Sequence, residues 1–177
     1  QPVYVMDIAA GHGRYVLDAL TAQELPDSIR LRDYSSLNVE AGRKLIEERQ
    51  LQDIARFDEV NAYERANYQN LDPQPTLGIV SGLHELFPDN DLINQSLLGF
   101  ADAIASGNYL IYTNQPWHPQ LEMIARCLTS HRQGEAWVMR RRSQREMDQL
   151  VAAAGFDKVR QLIDEDGIFT VTLARKR

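Results

Sequence analysis

One stretch limits the fold of this chain more than any other: Val3-Tyr4-Val5-Met6-Asp7-Ile8-Ala9-Ala10-Gly11-His12-Gly13-Arg14-Tyr15. A short apolar run rich in strand-favouring residues carries one acid. It breaks into a turn of alanines and glycines, then passes into a helical pattern near His12. A buried parallel strand that feeds a helix through a small-residue turn is how open α/β sheets build a ligand site. Small residues let a ligand approach the backbone, and the helix start offers unpaired N–H groups to an anion. The G-x-G-x-x-G pattern of dinucleotide-binding units is not completed, because Val16 stands where its third glycine would fall.

The rest of the chain repeats the strand–helix alternation. A second strand is expected over residues 29–34. It ends near Asp33, 20 residues after Gly13, where a carboxylate can accept hydrogen bonds from ribose hydroxyls. A third strand, 54–60, runs into Asn61-Ala62-Tyr63, and a fourth, 76–82, follows the break at Pro73-Gln74-Pro75. The fifth, 108–113, is almost continuously apolar and therefore central. Helical patterns fill 15–20, 41–50, 92–104, 121–128 and 147–154, with Ser36, Asp89 and Ser143 as capping residues. The end of the chain differs. Residues 156–163 and 168–174 read as two strands joined by Asp164-Glu165-Asp166-Gly167, an antiparallel hairpin.

Both ends of this pattern resemble the class I S-adenosylmethionine-dependent methyltransferases. Their first motif is an apolar strand followed by D-x-G-x-G-x-G, and Asp7-Ile8-Ala9-Ala10-Gly11-His12-Gly13 matches it with Ala9 in place of the first glycine. Their sheet ends in an antiparallel hairpin, often preceded by a phrase like Ala152-Ala153-Ala154-Gly155-Phe156. The resemblance implies a Rossmann-like three-layer αβα sandwich with a mostly parallel seven-stranded sheet, order 3-2-1-4-5-7-6. It also implies S-adenosyl-L-methionine as cofactor. The methionine end would lie along Asp7, Ala9, Gly11 and Gly13, the ribose at Asp33 with Tyr34, the adenine at Asn61 and Ala62, and Ser81 would line the fourth strand's tip. Family members place an acid where Asn61 stands, so charge assistance to the adenine amino group is missing here. They also carry helices before the first strand. Residues 1–177 are therefore expected to be a single methyltransferase domain, the C-terminal fragment of a longer chain. Ser81-Gly82-Leu83-His84-Glu85-Leu86-Phe87-Pro88 and Gln115-Pro116-Trp117-His118-Pro119 further resemble a methyltransferase domain fused behind an α/β-hydrolase domain in some bacterial proteins.

Methyl transfer to a hydroxyl or amine needs a group to take a proton, and imidazole titrates near neutral pH. His118 and His84 are the candidate catalytic bases, with Glu85 placed to orient His84. Trp117, Tyr112 and Arg140 are candidate contacts to a small-molecule or lipid-like acceptor, and Arg140-Arg141-Arg142 could hold an anionic group on it. The net charge of −6 speaks against nucleic acid as a partner. No apolar run reaches membrane-spanning length, no signal peptide is visible, and the one cysteine, Cys127, reads as a buried structural thiol. A cytoplasmic location follows. The four histidines and the acids lack metal-ligand spacing. Alternative readings are an NAD-dependent oxidoreductase, a non-catalytic cofactor-binding module that regulates a fused enzyme, and a partner-binding domain with a degenerate pocket. The acceptor and the oligomeric state are not encoded in any motif.

Overall fold

In the computed structural model, which describes residues 2–21, 25–129, 134 and 136–177, the first strand is the middle one of the parallel part of the sheet. Strand β1 (Tyr4–Ile8) lies parallel between β2 (Ser28–Asp33) and β4 (Leu77–Val80). Strand β3 (Ala55–Glu59) extends the sheet beyond β2, and β5 (Tyr109–Asn114) extends it beyond β4, both parallel. The terminal hairpin, β6 (Phe156–Ile163) and β7 (Thr170–Lys176), adds antiparallel pairing, with β7 lying between β5 and β6. The order is β3-β2-β1-β4-β5-β7-β6, as the resemblance implies. The chain runs outward from β1 through β2 to β3, then returns from β3 to β4 on the other side of β1. The strand order therefore reverses between β1 and β4, and the switch point lies at their carboxyl ends.

Alternation along the strands divides the core into two layers. Val5, Ile29, Leu31 and Phe57 face helices α1 (Arg14–Thr21) and α2 (Ser36–Glu48), where Val16, Leu17, Val39 and Ile46 meet them. On the other face Met6, Ile8, Val80, Leu110 and Tyr112 pack with Ile93, Leu97 and Phe100 of α3 (Asn90–Ala103). Met147 and Val151 of α5 (Gln144–Ala153) join the same layer. Each such side chain contributes about 1.5–3 kcal/mol on leaving water. Ser35, rather than Ser36, caps α2, accepting from the Asn38 N–H, while Asp89 caps α3 and Ser143 caps α5 as expected.

Three features depart from the sequence reading. Two single-turn 3-10 helices, Arg65–Tyr68 and His84–Leu86, follow β3 and β4. Arg30 and Arg32 of β2 are buried, on the layer that holds Met6 and Ile8. Helix α4 (Leu121–Cys127) has no buried residue, and Cys127 is exposed, because the helix lies on the surface instead of turning a face to the core. Among the described residues no helix is long and apolar enough to cross a membrane.

Candidate active site at the carboxyl ends of the strands

Three residues with positive φ bend the chain out of β1: Ala9 (52°), Gly11 (59°) and Gly13 (71°). The third of these permits close packing. A Cβ on Gly13 would stand 2.3 Å from Leu31 Cδ1. Gly11 serves the opposite purpose, since a Cβ there would meet nothing within 4 Å. Asp33 ties this turn to the next strand. Its Oδ2 accepts from the Gly11 N–H at 2.9 Å, and its Oδ1 accepts from the Ser35 N–H at 2.9 Å and from Asn38 Nδ2 at 3.0 Å. A carboxylate has about four acceptor positions, so Oδ2 keeps one lone pair beside the open side of Gly11. Tyr34, next in the chain, is largely exposed.

Beneath the turn, Asp7 is fully buried. Its Oδ1 accepts from the Tyr15 hydroxyl at 2.8 Å, and its Oδ2 has no partner. Burial, offset in part by Tyr15 and reinforced by the charge of Asp33, raises the Asp7 pKa well above the usual carboxylate range. Ala9, Asn61 and Ala62 come together with Ile8, Arg32, Val60 and Tyr68 around a narrow crevice. The Asn61 Oδ1 accepts from the Tyr63 N–H at 3.0 Å, and the Tyr68 hydroxyl donates to the Ala62 carbonyl at 2.7 Å, so this wall is fixed by its own hydrogen bonds. A larger cavity of about 270 Å³ lies at the opposite edge, against the amino ends of β1, β2 and β3 and away from the switch point.

On the other side of the switch point, β4 leads past half-buried Ser81 to Gly82. The Gly82 N–H donates to Thr113 Oγ1 at 2.9 Å, and that hydroxyl donates to Glu85 Oε1 at 2.7 Å. Glu85 is 6% exposed, its Oε2 has no partner, and burial raises its pKa despite Thr113 and the nearby Arg141 and Arg142 guanidiniums. Arg141 Nε, also buried, has no partner, while its Nη1 donates to Gln115 Oε1. A carboxylate oxygen and a guanidinium N–H thus lack partners at the tips of β4 and β5.

A family model described as "Putative methyltransferase" matches residues 1–176. The chain belongs to this methyltransferase family. It is 58% identical over 175 residues to the uncharacterized protein YnbC of Escherichia coli (strain K12), which covers 99% of this chain but only 30% of that longer protein. Among solved structures, an O-methyltransferase family protein from Burkholderia thailandensis has a TM-score of 0.77 at 16% identity, covering 99% of this chain and 51% of that one. The magnesium protoporphyrin IX methyltransferase of Synechocystis PCC 6803, solved with bound SAH, has a TM-score of 0.75 at 13% identity, covering 99% and 74%. At such identities these two structures share the fold.

The expected cofactor residues Asp7, Ala9, Gly11, Gly13, Asp33, Asn61 and Ala62 gather around the end of β1. The expected acceptor-side residues scatter. His84 is 2% exposed, its Nε2 lies 3.1 Å from Ser96 Oγ, and burial beside Arg142 pushes its pKa down to about 3. That imidazole sits inside the core. Tyr112 is fully buried and donates to Asp148 Oδ1 at 2.9 Å, because strand alternation turns it toward α5. Arg140 binds Asn90 Oδ1 at 2.8 Å and pairs with Glu146 at 2.5 Å, so its charge is already matched. Arg142 is also committed, clasping the His84 and Phe87 carbonyls and Asn90 Oδ1, each at 2.7 Å. Trp117 is 54% exposed and His118 half-buried on the loop after β5. His118 Nδ1 accepts from the Gln120 N–H at 3.1 Å, which leaves the proton of the neutral ring on Nε2. Among the described residues no group of three His, Cys, Asp or Glu forms a candidate metal site; His131 lies outside them. Glu85 and Thr113 are the pair that the sequence hides, lying 28 residues apart on neighbouring strand tips.

Proposed function

We propose that this domain is an S-adenosylmethionine-dependent methyltransferase acting on a small-molecule or lipid-like acceptor that carries a hydroxyl or amine. The observation that carries the reading is the β1 turn, pinned to Asp33 and open above Gly11 at the switch point. The residues fit such a cofactor: Asp7 Oδ2 is a buried acceptor without a donor, and Asp33 Oδ2 has a lone pair free for a ribose hydroxyl. Gly11 and Gly13 would border the methionine end, and Asn61 and Ala62 the adenine. When bound, S-adenosylmethionine supplies an electrophilic methyl on a good sulfonium leaving group.

The chain's own work is then to position the acceptor, exclude water and hold one proton. Glu85 Oε2, enclosed in this structure, would take the proton once acceptor binding opens the tips of β4 and β5 to it. It is unpartnered, its carboxylate is oriented by Thr113, and its raised pKa brings it nearer to neutrality. His118 would present its Nε2–H to the acceptor as a donor, with Trp117 as an exposed wall beside it. In the same reading the domain is part of a longer cytoplasmic protein that carries an α/β-hydrolase domain, consistent with the 30% of YnbC that it matches. Sequencing an intact gene product with no such domain would end that part.

The test is calorimetric titration with S-adenosylhomocysteine, with NAD as control. Binding of the former alone is expected. Asp33→Ala should weaken it by at least about tenfold, the loss of one charge-assisted hydrogen bond of roughly 1.5–3 kcal/mol. Binding of NAD instead would make the oxidoreductase reading correct. In methyl-labelling assays with cell extract, Glu85→Gln should lower the rate without changing S-adenosylhomocysteine affinity. Equal loss of both would make Glu85 structural.

A further inference from the structure

The cavity at the amino ends of the strands is lined by two arginines that enter no ion pair among the described residues. Arg30 of β2 and Arg56 of β3 are partners in register and so project from the same face of the sheet. Arg30 Nη2 donates to the Asp72 carbonyl at 2.8 Å and Arg56 Nη2 to the same oxygen at 3.0 Å. Two guanidiniums therefore share one neutral acceptor, which holds them side by side. Every ion pair among the described residues lies elsewhere, so none of their carboxylates comes within 4 Å of either group. Asp53 lines the same cavity without closing that distance.

Arg30 is 92% buried by its 8% exposure, yet none of its nitrogens is both enclosed and unpartnered. Its remaining N–H groups are thus not sealed in protein, and Arg30 is among the residues that line the cavity. The cavity measures about 270 Å³ and has apolar walls, among them Ile54, Leu71 and Pro73. In a chain of net charge −6, two adjacent cations at a small cavity, with no ion pair to either among the described residues, stand against the overall balance of charge. Like charges this close repel, and an anion between them removes that repulsion. Paired guanidiniums fit a tetrahedral dianion best, since each offers a planar fork of donors.

We infer that Arg30 and Arg56 form an anion site for a phosphomonoester, on the edge of the sheet opposite the methyl-transfer crevice and independent of it. The phosphate would bridge the two guanidiniums, and the apolar walls would take the organic part of a phosphorylated metabolite.

The experiment follows arginine Nε–H signals by nuclear magnetic resonance in this protein while inorganic phosphate, glycerol 3-phosphate or chloride is added at equal ionic strength. Saturable shifts of the Arg30 and Arg56 signals with both phosphates, and not with chloride, are expected. Tighter binding of glycerol 3-phosphate would identify a phosphorylated metabolite as the natural source; equal binding would identify free phosphate. Arg56→Met, at an exposed position, should weaken either by about tenfold while S-adenosylhomocysteine binding stays unchanged. Arg30→Met should do the same, but Arg56→Met decides the matter if the buried substitution unfolds the protein. Shifts that chloride reproduces, an absence of saturation, or unweakened binding in Arg56→Met would each overturn the assignment.

Discussion

Gly11 and Gly13 lie two residues apart in one turn, both with positive φ, and the structure assigns them different work. Substituting alanine at each separates folding from binding. At Gly13 the new Cβ meets Leu31 Cδ1 at 2.3 Å, with Leu31 Cγ and Cδ2 at 3.4 and 3.5 Å. Leu31 is fully buried and cannot swing away without disturbing the α1–α2 layer. The cost is about 1–2 kcal/mol for a left-handed alanine, plus about 1–3 kcal/mol for overpacking a filled core. For a domain of this size, each kcal/mol lowers Tm by roughly 2–4 °C. Gly13→Ala should therefore melt about 4–20 °C below the native protein. At Gly11 the same methyl meets open space, so only the backbone cost applies and the fall should be about 2–8 °C. That space is the one the proposed cofactor would use, and Gly11→Ala should lose S-adenosylhomocysteine affinity by more than tenfold while folded. Thermal melts followed by circular dichroism, with calorimetric titration well below both midpoints, give the two readouts. If Gly11→Ala melts as low as Gly13→Ala, or if it binds normally, the division of labour in this turn is wrong.

Other positions give sharper single outcomes. Ala9→Gly should raise stability by about 1 kcal/mol, seen as a higher urea midpoint, because a φ of 52° strains alanine and not glycine. His84 has a folded pKa near 3 against about 6.5 unfolded, so the unfolded chain binds more protons in between. Its contribution is whole above about pH 6.5 and is lost as pH falls, at up to about 1.4 kcal/mol per pH unit. Urea unfolding at several pH values should show this slope flattened in His84→Gln; identical slopes would disprove it. Tyr112→Phe should cost about 0.5–1.5 kcal/mol through the lost Asp148 bond. It should leave S-adenosylhomocysteine binding unchanged, and a changed Kd would return Tyr112 to the site.

The frame of the fold was legible because its cues are local. A strand, a small-residue turn and a helix fix the switch point, and an Asp-Gly turn between two strand patterns fixes the hairpin. Asp33 could be placed by counting, since its partner Gly11 lies on the adjacent strand's turn. The acceptor side was less legible because its residues are decided by contacts far apart in sequence. His84 is enclosed by Arg142, 58 residues on, whose guanidinium clasps the His84 carbonyl. Tyr112 sits near the correct end of β5, but strand alternation sends it into the α5 layer. The arginine triplet looked like three free charges, yet Arg140 is matched by Glu146 and Arg142 is spent on carbonyls. Asn61 kept its expected position, and its amide oxygen already braces the turn through the Tyr63 N–H.

The position of β7 between β5 and β6 has a consequence for synthesis. The chain emerges from the ribosome with β5 made long before β7, and β6 made with nothing to pair with until β7 follows it. Throughout that interval a nascent chain shows the edge of β5, with Leu110 and Tyr112 beside it, as an open row of backbone donors and acceptors. Thr172 and Ala174, both fully buried once in place, close it last. Slowed translation between residues 114 and 170 would lengthen that exposure, and aggregation during expression should rise with it.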